Sequence, residues 1–507
     1  MNTCFPIKPN NHSSGHAEPV PKYPFPISED YLKEIFHDCV DLFSQSVSIP
    51  AASPYTISIY WMDGLIDNAL FSEQILRPLT DPDCWNSCPT AQTLFSYIAS
   101  GLLRGTGLRT VASMDALVGE LLAGHCALLF PNTDSVICFD VRSINMRAIS
   151  EPSLEKTVKG AKEAFIESMK VNVTLLRRKL QSPKLKVISL KVGRKSNTPV
   201  SILYIEGVAK AETVEQVQEN LSALDIDGLI TCGYLEQYLV SSPRSLFPQL
   251  LHTERPDTFT AMLLEGRVGI LTEGIPVGFL VPAPLSRFMQ VSEDSAQQYW
   301  VASMLTFIRY VALLLATLLP AVYVAISMYH QEMIPTQMLS SMIEAKQKVP
   351  FSTGVEVLGM LISFELLQEA GLRLPNPVGD TVSIIGALIV GQAAVEAHIV
   401  SPIAVIIVAF SSISACILPC QDLSAAVRVL RLSCVLLAMG SGMFGVAALS
   451  GLLIWYLCTV ETYGVCYLAP FVDDTWHGWV RSLFRRPLRR NRFRDQFASG
   501  FDNRRTK

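Results

Sequence analysis

The rhythm of hydrophobic and polar positions changes near residue 300. Before it, short β-branched runs such as 56–60 and 127–130 alternate with stretches of helical spacing such as 31–43, the pattern of an α/β region folded in water. Within that part, 186–192, 200–206 and 229–231 predict strands and 211–222 predicts a helix. Residues 267–271 and 275–281 predict a hairpin turned around Gly274. The stretch 163–180 is helical in pattern and ends in Arg177, Arg178 and Lys179, cations suited to a helix C-terminus. Beyond residue 300 the apolar runs lengthen. Four of them, 301–329, 378–398, 400–418 and 430–458, approach or exceed the roughly 20 apolar residues that cross hydrocarbon. A fifth, 355–370, is shorter and carries Glu356, Glu365 and Glu369, so it reads as an amphipathic surface helix, a re-entrant piece or a poor span.

The expected architecture is an α/β cytoplasmic N-terminal region of two subdomains followed by an all-α helical transmembrane domain. Its parts are a disordered Pro-rich lead-in (1–27), subdomains at 28–150 and 151–295, a transmembrane domain of four to six spans (296–470) and a basic cytoplasmic tail (471–507).

Charge orients this plan. Only 17% of the 507 residues are charged, against about 25% in soluble domains. That excludes disorder, collagen and a generally basic nucleic-acid-binding protein. The net charge of −4 conceals a tail, 477–507, with ten basic and two acidic residues; the rest has 31 basic and 43 acidic. The tail arginines, among them Arg481, Arg485, Arg489 and Arg494, follow the last span and are expected on the cytoplasmic side, where they can also meet anionic lipid. The N-terminus lacks a basic-then-apolar leader, so the first domain is expected there too, and the crossings are then even in number. Four is the simplest count. Six results if 355–370 spans and the last stretch divides near Gly451, which also brings Arg428 and Arg431 to the inner side.

Catalytic chemistry finds no support. Cys84 with Cys88 and Cys416 with Cys420 are spaced four apart without a second ligand pair, so the 12 cysteines read as reduced thiols and neither metal nor cofactor is expected. There is no phosphate-cradling glycine loop, and His330–Gln331–Glu332 lacks the second histidine of a zinc protease. The chain does not read as an enzyme. Polar groups in the apolar half are more telling, because an ionisable residue deep in hydrocarbon costs about 2.5–3.5 kcal/mol and usually faces a bundle interior or a water path. Gln392 and Glu396 share a helix face, as do Glu365 and Glu369. Glu396 suits an interface or a water path equally; for Glu365 and Glu369 the short segment favours the interface. Small residues repeat at four, Ala387 with Gly391, Ala393 with Ala397, Ala438 with Gly442 and Ser441 with Gly445, spacing that lets helix backbones approach.

Particular stretches resemble a known family. The run Leu319–Pro320–Ala321–Val322–Tyr323–Val324–Ala325, then Tyr329–His330–Gln331–Glu332–Met333–Ile334–Pro335–Thr336, is similar to the A subunit of bacterial spore germinant receptors, the GerA family. So are Glu369–Ala370–Gly371–Leu372–Arg373–Leu374–Pro375, the segment from Gly386 to Pro402, Gly193–Arg194–Lys195–Ser196, and His252–Thr253–Glu254–Arg255–Pro256–Asp257. The resemblance covers roughly 115–470, is loose over 1–110, and departs at Cys466, where a proline is expected. It implies an oligomeric subunit, a pentamer being the implied form, in the spore inner membrane. It further implies a transporter-like B subunit and a lipoprotein C subunit as partners, and a ligand-gated channel that releases cations at germination. The acidic and polar residues Glu356, Glu365, Glu369, Asp380, Gln392 and Glu396 then become candidates for the ion path. A SpoVA-operon F-subunit paralogue, which amplifies ion release, and a non-conducting scaffold are the alternative readings.

Overall fold

The computed structural model describes residues 22–49, 55–81, 90–101, 107–143, 159–373 and 391–472, with scattered positions in 144–158 and 473–507. The chain forms two compact units, one of 1–146 with 181–183 and one of 147–180 with 184–507.

In the first unit α1 (Glu29–Ile35), α2 (Ala91–Ala99) and α3 (Met114–Leu122) accompany an antiparallel sheet. Its strands are β1 (Leu42–Ile49), β2 (Tyr55–Met62), β3 (Arg109–Val111), β4 (His125–Leu129) and β5 (Val136–Asp140), in the order β1-β2-β4-β5-β3. Successive strand side chains point to opposite faces, and both faces are covered. Ile57, Ile59, Cys126, Leu128, Ile137 and Phe139 build one core, and Tyr60, Met62, Ala127, Leu129, Val136 and Cys138 build the other. The helix expected over 31–43 stops at Ile35, because 36–41 turn, with Asp38 at φ 56°, to feed β1.

The second unit opens with α4 (Met169–Lys179), α5 (Ala211–Ser222), α6 (Cys232–Leu239) and α7 (Pro256–Leu264). Its sheet comprises β6 (Leu185–Val192), β7 (Thr198–Ile205), β8 (Leu251–Thr253), β9 (Val268–Thr272) and β10 (Gly278–Val281). The order β6-β7-β9-β10-β8 repeats that of the first sheet, again antiparallel throughout. α5 and α6 contribute Val214, Val217, Leu221, Leu235 and Leu239 to one face, and α4 and α7 contribute Val173, Leu176, Phe259 and Met262 to the other. Phe259 lies so close over β9 and β10 that a Cβ on Gly269 or Gly278 would come within 2.2 or 2.7 Å of its ring, which is why both positions are glycine. Residues 229–231, expected as a strand, lead instead into the N-terminus of α6 at Thr231. The helix expected over 163–180 starts at Met169, since the Phe165 N–H is committed to the Glu254 carbonyl at 2.7 Å.

The apolar half of this unit is helical where described: α8 (Tyr299–Tyr329), α9 (Thr336–Lys346), α10 (Thr353–Arg373), α11 (Pro402–Cys416) and α12 (Gln421–Thr459). α8 and α12 are long and apolar enough to cross a membrane by length and composition. α12, however, doubles back. At Gly442 the backbone takes φ 62° and ψ −143°, outside the helical region. Tyr467 donates its N–H to the Val460 carbonyl at 2.9 Å, just beyond the end of α12, yet shares one apolar cluster with Leu423 and Ala426 from its beginning. Both ends of α12 therefore lie together, and residues 421–441 and 443–459 are the two arms of a helical hairpin. The division expected near Gly451 falls at Gly442 instead, where the reversal uses a glycine's freedom to take a positive φ.

Following the ends gives the topology. α8 leaves the sheet domain at Tyr299 and reaches the hairpin tip, where the Tyr329 hydroxyl donates to the Met439 carbonyl at 2.6 Å. α10 starts at the tip, with Gly354 against Met439, and runs back; α11 also runs back, from Ser401 beside Glu356 to Ala415 beside the sheet-domain cluster. The connection from Arg373 to Ser401 thus begins near the sheet domain and ends near the tip. Residues 374–390 of it lie outside the described positions, as do Asp380 and Ala387.

An L side chain at Gly442 would be strained by about 1–3 kcal/mol and would meet the Tyr329 ring at 3.0 Å. Gly442→Ala is expected to lower the thermal midpoint of the detergent-solubilised chain by several degrees. Gly451→Ala, where a Cβ meets nothing within 4 Å, should leave it unchanged or raise it slightly.

Candidate functional site

The polar groups inside the helical bundle gather at two levels. Near the hairpin tip, Glu356 is 3% exposed in the first turn of α10. Its Oε2 accepts the Ser401 N–H at 3.0 Å, tying α10 to the start of α11, while its Oε1 is buried without a hydrogen-bond partner among the described residues. About two and a half turns further along α10, Glu365 faces the first arm of α12. Its Oε1 accepts from Arg431 Nη2 at 2.5 Å and its Oε2 from Arg428 Nη1 at 3.3 Å. Arg431 is 1% exposed, and its Nη1 also reaches the hydroxyls of Ser411 and Ser412 on α11 at 3.3 and 3.4 Å. One guanidinium thereby joins three helices. Because two cations surround it, the Glu365 carboxylate is compensated rather than open to a passing ion.

The remaining ion-path candidates lie elsewhere. Glu369 is exposed near the sheet-domain end of α10. Gln392 and Glu396 are exposed on one helical turn, with Gln392 Nε2 donating to Glu396 Oε1 at 3.0 Å, so the i, i+4 pairing is made. Of the small residues, Ala438 is fully buried in the cluster that joins α8, α10, α11 and α12. Gly442 and Gly445 sit at the hairpin tip, where a Cβ on Gly445 would come within 2.6 Å of the Leu437 carbonyl oxygen. Gly391 is buried, Ser441, Ala393 and Ala397 exposed. Cys416 and Cys420 are both free thiols.

Sequence reasoning missed the partners. Arg428 and Arg431, read only as markers of sidedness, are the counter-charges of Glu365. Two cations in an otherwise apolar arm, 63 and 66 residues from a carboxylate in another apolar helix, are the signal that such a pairing leaves. It also missed the joint between bundle and sheet domain. After α12 a short hairpin, β11 (Glu461–Thr462) with β12 (Val465–Cys466), carries Tyr463 into the sheet-domain core. The Tyr463 hydroxyl donates to the Leu239 carbonyl at 2.8 Å and accepts from Asn220, and burial pushes its pKa up to about 12. Tyr467 packs against Phe247 and Phe288, and its carbonyl accepts the Leu285 N–H at 2.8 Å. The tail returns here as well: Ser499 bridges Ala209, and the Gly500 N–H donates to the Val208 carbonyl at 2.7 Å.

A sheet domain whose strand β8 and joint at 460–470 meet both ends of an apolar helical hairpin defines a class: a two-sheet module built onto a bundle with helices of membrane-spanning length. The chain belongs to the Bacillus/Clostridium GerA spore germination protein family, whose model matches residues 30–497. It is 33% identical over 448 residues to Spore germination protein KA of Bacillus subtilis (strain 168), covering 88% of this chain and 81% of that one. The Uncharacterized membrane protein YfkQ of the same organism is 36% identical over 423 residues, covering 82% and 81%. Spore germination protein GerLA of Bacillus cereus is 31% identical over 447 residues, covering 88% and 90%. The N-terminal domain of the A subunit of the Bacillus megaterium spore germinant receptor GerK3 aligns at 26% identity over 50% of this chain and 92% of that one. Its TM-score of 0.41 is too low to establish a shared fold.

Removing one partner of a buried ion pair typically costs about 3–5 kcal/mol, whereas an apolar replacement of both is often neutral. Glu365→Leu alone, which strands Arg431, is expected to abolish the folded protein in membranes. The double change Glu365→Leu with Arg431→Met should restore much of it, as read by membrane abundance and protease resistance.

Proposed function

We propose that this protein is the A subunit of a spore germinant receptor, an oligomeric membrane protein that couples nutrient sensing to cation release when the endospore begins to germinate. Family membership supports the process. The observation that carries the mechanism is the joint at 460–470, which ties the sheet domain to both arms of the α12 hairpin, so that a displacement of one is felt by the other. In this reading the bundle lies in the spore inner membrane and crosses it an even number of times. Both the sheet domain and the tail, which touch at Ala209 and Ser499, are cytoplasmic. Arg428 and Arg431 then lie toward the inner end of the first arm of α12, in line with the positive-inside rule. A transporter-like B subunit and a lipoprotein C subunit complete the receptor, and copies of this chain surround the path for cations as a ligand-gated channel.

Within that channel the exposed pair Gln392–Glu396 is the better candidate to face ions, since Glu365 is neutralised by two arginines and Glu356 is held by Ser401. Glu396→Gln or Gln392→Leu is expected to alter potassium release during germination with membrane levels unchanged. Unchanged flux in both variants removes this face from the path.

Sidedness has its own measurement. A cysteine placed at Met338, exposed on α9 at the tip end, should react with an impermeant maleimide from outside the spore inner membrane. One placed at the exposed Arg504 should react only after permeabilisation. The reverse pattern inverts the topology; equal reactivity of both from outside removes the membrane-spanning reading.

A further inference from the structure

Where α12 begins, three side chains of metal-ligating type converge. Glu236 comes from α6, His252 from β8 and Asp422 from the first turn of α12, and one ligand atom of each lies within 4.8 Å of the others. His252 Nδ1 stands 3.4 Å from Asp422 Oδ2. Each is delivered by a separately anchored element. His252 is in register with Phe279 on the neighbouring strand β10. Leu235 and Leu239 fix α6 in the sheet-domain core, and Leu423 fixes the turn that carries Asp422.

His252, though neither Glu236 nor Asp422, lines a cavity of about 280 Å³ together with Thr253, Gln290, Cys420 and Gln421.

We propose that Glu236, His252 and Asp422 form a site for a first-row divalent cation of the zinc class, which fastens the first turn of α12 to the second sheet. One imidazole nitrogen with two carboxylate oxygens suits zinc, bound at about 2.0–2.2 Å, better than calcium, which takes roughly six to eight oxygens. Ligand atoms at those bond lengths stand about 3.3–3.6 Å apart in a tetrahedron, so the widest pair closes by about an ångström, within the reach of side-chain rotation. Solvent supplies the fourth position. The consequence is mechanical: an ion here adds a second tie between sheet domain and hairpin, at the opposite end of α12 from the tie made by Tyr463 and Tyr467. The site stands independently of channel activity.

The test uses the full chain in detergent, stripped with EDTA and titrated with zinc against a chromophoric chelator, with X-ray absorption at the zinc edge. One zinc per chain in a nitrogen and oxygen shell is expected, not displaced by a tenfold excess of calcium. His252→Ala and Asp422→Asn should each weaken binding at least tenfold while leaving the helical circular dichroism unchanged. Glu236→Gln, on the half-buried surface of α6, supplies the same comparison where Asp422→Asn fails to accumulate. Absence of a saturable zinc in the wild-type chain, a sulfur-dominated shell, or wild-type affinity in His252→Ala overturns the assignment.

Discussion

At Gly442 the chain takes a backbone conformation that a side chain resists, and the apolar helix that enters this position returns beside itself. Nearly every other feature of the helical half depends on that reversal. It returns the end of α12 to the sheet domain, where Val460 and Tyr467 meet Leu423 and Ala426. It presents the Met439 carbonyl at the tip, where Tyr329 from α8 caps it. It sets the first arm against α10 at the height where Glu365 can meet Arg431. A straight helix of 39 residues would be roughly 58 Å long and would part its two ends by that distance.

Charge inside the bundle follows from the same arrangement. An arginine at 1% exposure is tolerated because a carboxylate and two hydroxyls are delivered to it by α10 and α11. Such a pair adds little net stability over an apolar equivalent, since desolvation offsets most of the attraction. What it adds is register: α10, α11 and α12 fit together only where the guanidinium finds its partners. The same logic holds at the tip, where Glu356 receives the Ser401 N–H and fixes how α11 starts.

Legibility in the sequence was uneven for physical reasons. Strands such as 186–192 and 200–206 are readable because a short β-branched run is a local property, and in sheets covered on both faces such runs are buried almost continuously. The helix expected across 31–43 was not, because Asp38 turns the chain with a positive φ that leaves no pattern in the apolar positions. The segment 355–370 reads as an amphipathic surface helix, a re-entrant piece or a poor span. The helix runs longer, over Thr353–Arg373, and its Glu365 is compensated by Arg428 and Arg431 from far along the chain. The Gln392–Glu396 pair was legible because i, i+4 neighbours on a helix must meet.

By itself the sequence determined what depends on near neighbours: the sheet-forming and apolar halves, the β-branched runs of the strands, the length of the apolar runs and the family likeness. The tertiary structure alone decided where the last helix reverses, which arginines neutralise Glu365, and that the tail returns to Ala209. It alone brought Glu236, His252 and Asp422 within reach of one another. The reason is common to all four. Each joins groups set by the path of the backbone between them, and that path follows from packing, which no spacing of residue types records.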